Sequence, residues 1–327
     1  MIHRFMIGLV TSAAIACSIS PQAHAQAYPN KPITIIVPFA AGGPTDIVAR
    51  VIAERFTSSL GERVIVENAP GAAGTTGMTR AARAPADGYT LLMGPMSTMS
   101  FSPTIYPNLP VHAIKSFDPV GIVASAPIVL VVQKGLPGTM KDFVAHVKAN
   151  AGKMQNGNAG IGSTSHLACV LLNSRFGVKP AIVPYKGTAP AMQDMLTGQV
   201  HYLCDQSTSV MGQVKAGAVR ALAVLAPEPS PALPGVPTIA KAGYPGAEMV
   251  VWNALFAPKG TPADIIKQLN AAIAKGVDDG ASRERFASLG AEAPSADLRS
   301  PQALGKLHAA DVEKWGKIIR EAGVKIN

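Results

Sequence analysis

The chain runs to 327 residues, room for two domains of ordinary size, with 48% apolar, 15% charged and 5% aromatic residues. Its formal net charge of +9 is spread along the sequence without a block of five consecutive basic residues, and aromatics do not alternate with the basic positions. That pattern excludes a nucleic-acid surface and fits an α/β protein with two cores.

The N-terminal residues read as a targeting segment outside the fold. His3 and Arg4 precede the apolar run Phe5 to Ala16, and Ala23-His24-Ala25 places small residues at the two positions a signal peptidase reads. Residues 1–25 are therefore expected to be a signal peptide, leaving a mature chain from Gln26. The apolar run is too short for a permanent anchor. Cys17 follows small residues as in lipoprotein signals, but Ala14 stands where those signals carry Leu, which favours soluble export. Export permits a disulfide between Cys169 and Cys204. Both lie in apolar contexts that suit two buried thiols equally well. No Cys/His spacing for a metal occurs, and no cofactor is expected.

Ile33–Val37 is a β-branched run of strand length. Pro38 to Gly43 breaks it, and from Thr45 onward Val48, Ile52, Phe56 and Leu60 recur at the spacing of an amphipathic helix. Pro44 suits the first helical turn. Such a strand, glycine turn and helix start leaves unpaired N–H groups and a positive dipole end at one point, an anion site. Asp46, in the first turn, reads as a partner of that dipole. Arg63–Glu67 is a second strand, followed by the loop Asn68 to Gly77 and a short helix through Arg83. After a turn at Ala86 to Gly88, Tyr89–Gly94 is a third strand, ending in Pro95 to Thr98. Strands alternating with helices predict a parallel sheet with ligands beyond the strands' carboxyl ends, so three loops rich in Gly, Ser and Thr fall on one rim.

Phe117–Gln133 is a long run interrupted by Pro127, read as a strand leaving a first lobe for a second. There, helices are predicted at Met140–Ala149, from Gly162–His166 onward, at Ala189–Leu196 and at Val210–Ala216. Strands are predicted at Asn156–Gly160, Ala181–Tyr185, Val200–Asp205 and Ala218–Leu225. The proline-rich stretch Pro227 to Pro245 is a surface connection. Glu248–Ala257, with Trp252 in it, leads back, and Thr261–Val277 and a C-terminal helix with Val312, Trp315 and Ile319 on one face complete the first lobe. The expected layout is α/β: two lobes joined by two extended hinge strands with the ligand cleft between them. Lobe 1 would be 26–126 with 249–327, and lobe 2 would be 127–248.

Catalytic motifs are sparse. Gly160-Ile161-Gly162-Ser163 sets the serine one place late for a nucleophile elbow. Ser163 and His166, three apart at a helix start, would serve an exported hydrolase if Asp205 oriented them. The alternative is that Ser163 caps the helix while His166 lines a cleft or fills a core. Lys186-Gly187-Thr188 lacks the glycine before the lysine that a phosphate loop needs, and Gly42-Gly43 lacks the spacing of a dinucleotide fingerprint. What remains is a set of hydroxyls and backbone N–H groups ending strands in both lobes, groups that hold a carboxylate. Phe39, Tyr185 and Trp252 are each candidates for cleft wall or core.

The run Pro38 to Asp46, with Ala49 and Arg50, resembles the signature of the Bug-type (TctC-type) solute-binding proteins of tripartite tricarboxylate transporters. The likeness continues through Asn68 to Gly74, Ala86 to Thr90, Gly162 to Leu167, Pro184 to Gly187, Gly198 to Val200, Leu233 to Thr238, Trp252 and Ala257 to Pro262. It covers essentially the whole mature chain in order. What the resemblance implies is a periplasmic type II binding protein, monomeric and without enzymatic activity. It would close on a small organic carboxylate and deliver it to two integral membrane subunits. One carboxylate would be held by Phe39, Ala40, Gly42, Gly43 and Thr45 on one side and by Gly162, Ser163, Thr164 and His166 on the other. Gly71, Ala72, Gly74, Ser97, Thr98 and Asp205 would shape the distal part, with Tyr185 counted among the ligand-binding residues. These loops hold no arginine, so hydroxyls or N–H groups would have to hold any second carboxylate. Di- and tricarboxylates, amino acids and aromatic acids stay open, as does a role as ligand-sensing partner of a membrane receptor.

Overall fold

The computed structural model describes residues 28–324; the expected signal peptide lies outside them. β1 (Ile33–Val37) leads through a turn, with Gly42 at φ +77°, into α1 (Pro44–Leu60), whose first residue is the proline. α1 buries Val48, Ile52 and Phe56 completely, each worth roughly 1.5–3 kcal/mol against exposure. Gly61 ends the helix in the left-handed region, its amide capping the Thr57 carbonyl. β2 (Val64–Asn68), α2 (Thr75–Ala82) and β3 (Thr90–Pro95) follow, and both strands pair with β1 in parallel.

Beyond β3 the chain forms a π-type turn, Ser97–Phe101, and a short helix α3 (Ser102–Ile105) where the sequence predicts only irregular backbone. Serine, threonine and proline are poor helix formers, but propensity is a weak prior. Packing decides here: Phe101 is fully buried with its ring 5.1 Å from that of Trp315.

The next strand, β4 (Phe117–Gln133), matches the expected crossing residue for residue. It leads to α4 (Met140–Ala149), β5 (Gln155–Asn158), α5 (Thr164–Phe176), β6 (Ala181–Pro184), α6 (Thr188–Leu196), β7 (Tyr202–Gln206), α7 (Ser207–Lys215) and β8 (Val219–Leu225). The stretch 226–249 forms turns, and β9 (Val250–Pro258) is the second long crossing. The chain closes with α8 (Ala263–Asp278), α9 (Gly280–Ser288) and α10 (Pro301–Glu321). The sequence did not predict α9: it offers one fully buried anchor, Phe286, and is started by the Asp279 carboxylate accepting from the Ser282 amide.

All strands belong to one sheet of order β2-β1-β3-β9-β4-β7-β5-β6, with β8 also on β4. The parallel expectation holds for β1, β2 and β3 and for β5, β6 and β7, while the crossings β4 and β9 run antiparallel to each other. β4 changes partners midway. Its residues 117–127 pair with β9, and from Ile128 onward it pairs with β7 and β8. Apolar side chains pack on both faces of each half. On α10, Trp315 and Ile319 are buried as expected, and Val312 is half-buried. Cys169 on α5 and Cys204 on β7 form a disulfide, with Cα atoms 5.5 Å apart, which resolves the alternative left open by their apolar contexts.

Candidate ligand-binding site

Helix starts from both halves of the sheet converge on one cavity. α1 contributes Pro44 and Thr45, and α5 contributes its capping Ser163 with Thr164 and Ser165. α6 contributes its first residue, Thr188, and α7 its capping residue, Gln206. Each helix start carries the positive end of a macrodipole, equivalent to about half an elementary charge, and amides without intrahelical acceptors. The remaining wall is Phe39, Pro95, Ser97, Ala159 and Asp205. Among the described residues no lysine or arginine lines it. The space is narrow, about 10 Å³ for the centre of a water-sized sphere, on the order of one water.

The glycine turn after β1 acts through its shape. The Gly42 amide donates to Asp46 Oδ2 at 3.0 Å, the Gly43 amide to the Ala40 carbonyl and the Ala40 amide to the Lys186 carbonyl, both at 3.3 Å. In the facing loop the Gly162 amide donates to His166 Nδ1 at 3.3 Å, and the His166 amide to Ser163 Oγ at 3.2 Å. Helix geometry therefore leaves Thr45 and Asp46 on α1, and Thr164 and Ser165 on α5, to offer amides to a ligand. Asp46 braces this arrangement, accepting from Arg50 at 2.9 and 3.0 Å and from Asn68 Nδ2 at 2.9 Å. Burial opposes its charge, but the hydrogen bonds from Arg50, Gly42 and Asn68 prevail and hold the carboxyl below its ordinary range.

The polar groups of the cavity are incompletely paired. Ser97 Oγ and Thr188 Oγ1 are buried and have no hydrogen-bond partner among the described residues, although such groups are normally satisfied. The Thr188 hydroxyl lies near enough to Asp205 to lower its pKa without making a well-formed hydrogen bond. Asp205 is 1% exposed. Burial pushes its carboxyl up to about 6, against the Ser209 hydroxyl, Thr188 and the Gln206 amide, which act the other way. Ser209 Oγ donates to Asp205 Oδ2. Gln206 is oriented by Asn253 on β9, whose Nδ2 donates to Gln206 Oε1 at 2.8 Å.

An outer depression of about 780 Å³ adjoins the cavity, with Ala72 and Tyr106 on one side and Gly160, His166, Tyr185 and Lys186 on the other. Two hydrogen bonds hold its sides together: Tyr106 Oη to the Ile161 carbonyl at 2.8 Å, and the Ala40–Lys186 bond above. The approach at Gly187 is close enough that a Cβ there would lie 3.0 Å from both Cβ and N of Ala40. His166 is buried and its pKa is lowered by that burial to about 4, so the ring is neutral. Its Nδ1 faces the Gly162 amide, and Ser163 Oγ caps α5 and pairs with Ser165 Oγ at 3.0 Å. The Ser163 hydroxyl and the imidazole therefore do not form the bond that a nucleophile and its base require.

Of the residues singled out in the sequence, Phe39, Thr45, Ser97, Ser163, Thr164 and Asp205 line the inner cavity, and Ala72, His166 and Tyr185 line the outer one. Ala40, Gly42 and Gly43 form the turn behind the wall. Gly71, Gly74 and Thr98 belong to a packed knot, in which Thr98 Oγ1 donates to the Ala73 carbonyl at 3.4 Å and a Cβ on Gly74 would come within 2.3 Å of that hydroxyl. Gly162 faces Ile105. Tyr185 donates its hydroxyl to Asp194 Oδ2 at 2.6 Å. Trp252 is core: its Nε1 donates to Asp311 Oδ2 at 2.7 Å, and its ring packs near Phe256 and His308. Pro44 and Ser165, which also line the cavity, fall within the two stretches the sequence points to, whereas Pro95, Ala159, Thr188 and Gln206 are not among its candidates. Thr188 carries a signal of its own, a hydroxyl opening a helix after a strand, which the likeness of Lys186-Gly187-Thr188 to a phosphate loop masks. Among the described residues no His/Cys/Asp/Glu cluster suits a metal.

Two α/β halves, joined through two long antiparallel crossings and meeting at a polar cavity of helix starts, define the type II binding-protein fold. Residues 48–324 match the family described as "Tripartite tricarboxylate transporter family receptor", and the chain belongs to that family. The solved periplasmic binding protein BugD is 41% identical and superposes with a TM-score of 0.89, covering 91% of this chain and 100% of BugD. MatC from Rhodopseudomonas palustris, solved with bound malate, is 37% identical with a TM-score of 0.86 over 89% of this chain and 100% of MatC. A second R. palustris protein, solved with adipate, is 32% identical with a TM-score of 0.87 over 91% and 100%.

Proposed function

We propose that the chain is the exported, periplasmic solute-binding component of a tripartite tricarboxylate-type transporter. It takes a small organic acid, a di- or tricarboxylate or an aromatic carboxylate, between its lobes and passes it to two membrane subunits as a monomer, without chemistry. One observation carries the reading. Four helix starts meet at a cavity with unpartnered hydroxyls and no basic side chain, an environment that favours an anion able to accept several hydrogen bonds. The malate and adipate held by the R. palustris relatives agree in class.

In this reading Thr45 and Thr164 donate amides to the carboxylate, Ser97 and Thr188 donate hydroxyls, and Phe39 covers its apolar part. Ser163 and His166 hold the α5 start in place. The lobes are residues 26–126 with 249–327, and 127–248, a division supported by the change of partners in β4 between Pro127 and Ile128. Room for about one water means that an acid enters only when the lobes part. A ligand touching both lobes then favours the closed state by its differential affinity.

Calorimetry at neutral pH against succinate, malate, citrate, aspartate and benzoate tests this, with dissociation constants of micromolar order expected. Failure of every acid to bind more tightly than millimolar would refute it. Co-purification of two integral membrane proteins tests the partnership, and an N-terminus at Gln26 on the exported protein tests the cleavage site.

A further inference from the structure

We infer that Asp205 reads a hydrogen-bond donor on the ligand, so that the site selects hydroxy- or amino-substituted acids over the same acids without that group. The inference rests on the carboxylate-binding reading and deepens it.

Asp205 is the single carboxylate in the wall of the inner cavity, and no lysine, arginine or histidine lines that wall. It lies almost wholly out of solvent and takes part in no ion pair among the described residues. The other two carboxylates buried among the described residues are explained by their partners, Asp46 by Arg50 and Asn68, and Asp311 by the Trp252 indole. Asp205 has the Ser209 hydroxyl on Oδ2, with Thr188 and the Gln206 amide close by, and no cationic partner among the described residues. A buried carboxylate has capacity for several donors, and leaving it short is costly.

The groups around it divide the ligand's chemistry. Helix starts and the free hydroxyls of Ser97 and Thr188 donate, and suit the carboxylate of an acid. Asp205 accepts, and although the Ser209 hydroxyl, Thr188 and the Gln206 amide favour its charge, no cation lines the wall beside it and burial still pushes its carboxyl up to about 6. A ligand hydroxyl or ammonium beside it supplies a further donor, whereas a plain methylene supplies none. A second ligand carboxylate is repelled from this corner and is better placed toward the outer depression, where Lys186 lies.

The test is calorimetry at neutral pH with succinate, malate and aspartate, which share a four-carbon diacid frame. The same titration with benzoate, 3-hydroxybenzoate and 4-hydroxybenzoate covers an aromatic frame. The native protein is expected to bind the donor-bearing member of a frame at least tenfold more tightly than the parent acid. Asp205→Asn should reduce the aspartate-to-succinate advantage below threefold, and Asp205→Ala, a second variant should the first misfold, should abolish the malate advantage as well. Circular dichroism melts establish that each variant is folded. Equal binding of parent and substituted acids by the native protein, or an unchanged ratio in a folded variant, overturns the inference and leaves the carboxylate reading intact. If no acid of either frame binds, both readings fall.

Discussion

Replacing Asp205 by asparagine should stabilise the ligand-free protein, and the gain should depend on pH in a defined direction. The ordinary value of 3.8 rises in the folded state to about 6 because the group is buried. A raised carboxyl makes the folded state bind the extra proton, so its contribution is favourable below about pH 4. It is lost as the pH climbs through 6, where ionising the buried group costs more than ionising it in the unfolded chain. A gap of roughly 2 units at 1.36 kcal/mol each gives a cost of about 3 kcal/mol at pH 7.5. The same linkage gives about 1 kcal/mol at pH 4.5 and nearly nothing at pH 3. The amide cannot ionise, so Asp205→Asn should gain up to about 3 kcal/mol at pH 7.5, less the bond to the Ser209 hydroxyl, worth about 1 kcal/mol. Urea unfolding of both proteins at the two higher pH values measures this. His166 titrates in the same interval, but it is present in both proteins and cancels in the difference. A variant less stable than the native protein at pH 7.5, or a difference that does not shrink by about 2 kcal/mol on acidification, would refute the reasoning.

Other expectations follow from the same geometry. The His166 pKa is lowered by burial to about 4, so the unfolded chain takes up a proton first as the pH falls below 6.5. Native stability should drop by about 3 kcal/mol between pH 7 and 4 from this group, and His166→Gln should remove that part of the pH dependence in urea titrations. Reducing the Cys169–Cys204 bridge, which spans 35 residues, should cost about 4 kcal/mol by chain entropy, read as a lower denaturation midpoint with dithiothreitol. Gly187→Val places a side chain where even a Cβ lies 3.0 Å from Ala40; it should weaken every ligand at least tenfold, and small-angle scattering should show the ligand-free form more open. Trp252→Phe leaves the Asp311 carboxylate without its 2.7 Å donor. It should lose about 1–3 kcal/mol in stability with ligand affinity unchanged, and a changed affinity would argue against the core placement of Trp252.

Much of the fold is legible in the sequence because its signals are local. Ile33–Val37, Phe117–Gln133 and Met140–Ala149 appear with the bounds their patterns predict. In each, a continuous apolar run or a helical repeat is already complete within the segment. Proline at the start of α1 and the Ser163 cap of α5 are equally local, and the structure uses both as expected. The same locality explains the failures. Nothing within Ser97 to Ile105 signals a helical turn, since that turn is held by Trp315, more than two hundred residues away. Trp252 reads alike as cleft wall or core until Asp311 is placed against its indole.

The site belongs to the tertiary structure in a stronger sense. Residues 44, 164, 188 and 206 each open a helix, and a helix start alone is only a weak anion site. Their convergence depends on the pairing order of the sheet, with β1 and β7 brought to one rim through the crossings β9 and β4. The pairing of Cys169 with Cys204 and the burial of Asp205 without a cation depend on it too, because burial and distance are properties of neighbours remote in the chain. Composition and periodicity thus pointed to an α/β protein with two lobes, the motifs along the chain carried the family likeness, and the loops even suggested hydroxyls and amides as the binding groups. Which of those groups still lack a partner was decided only by folding, since a hydrogen bond is satisfied or left open by whatever the rest of the molecule brings within about 3 Å.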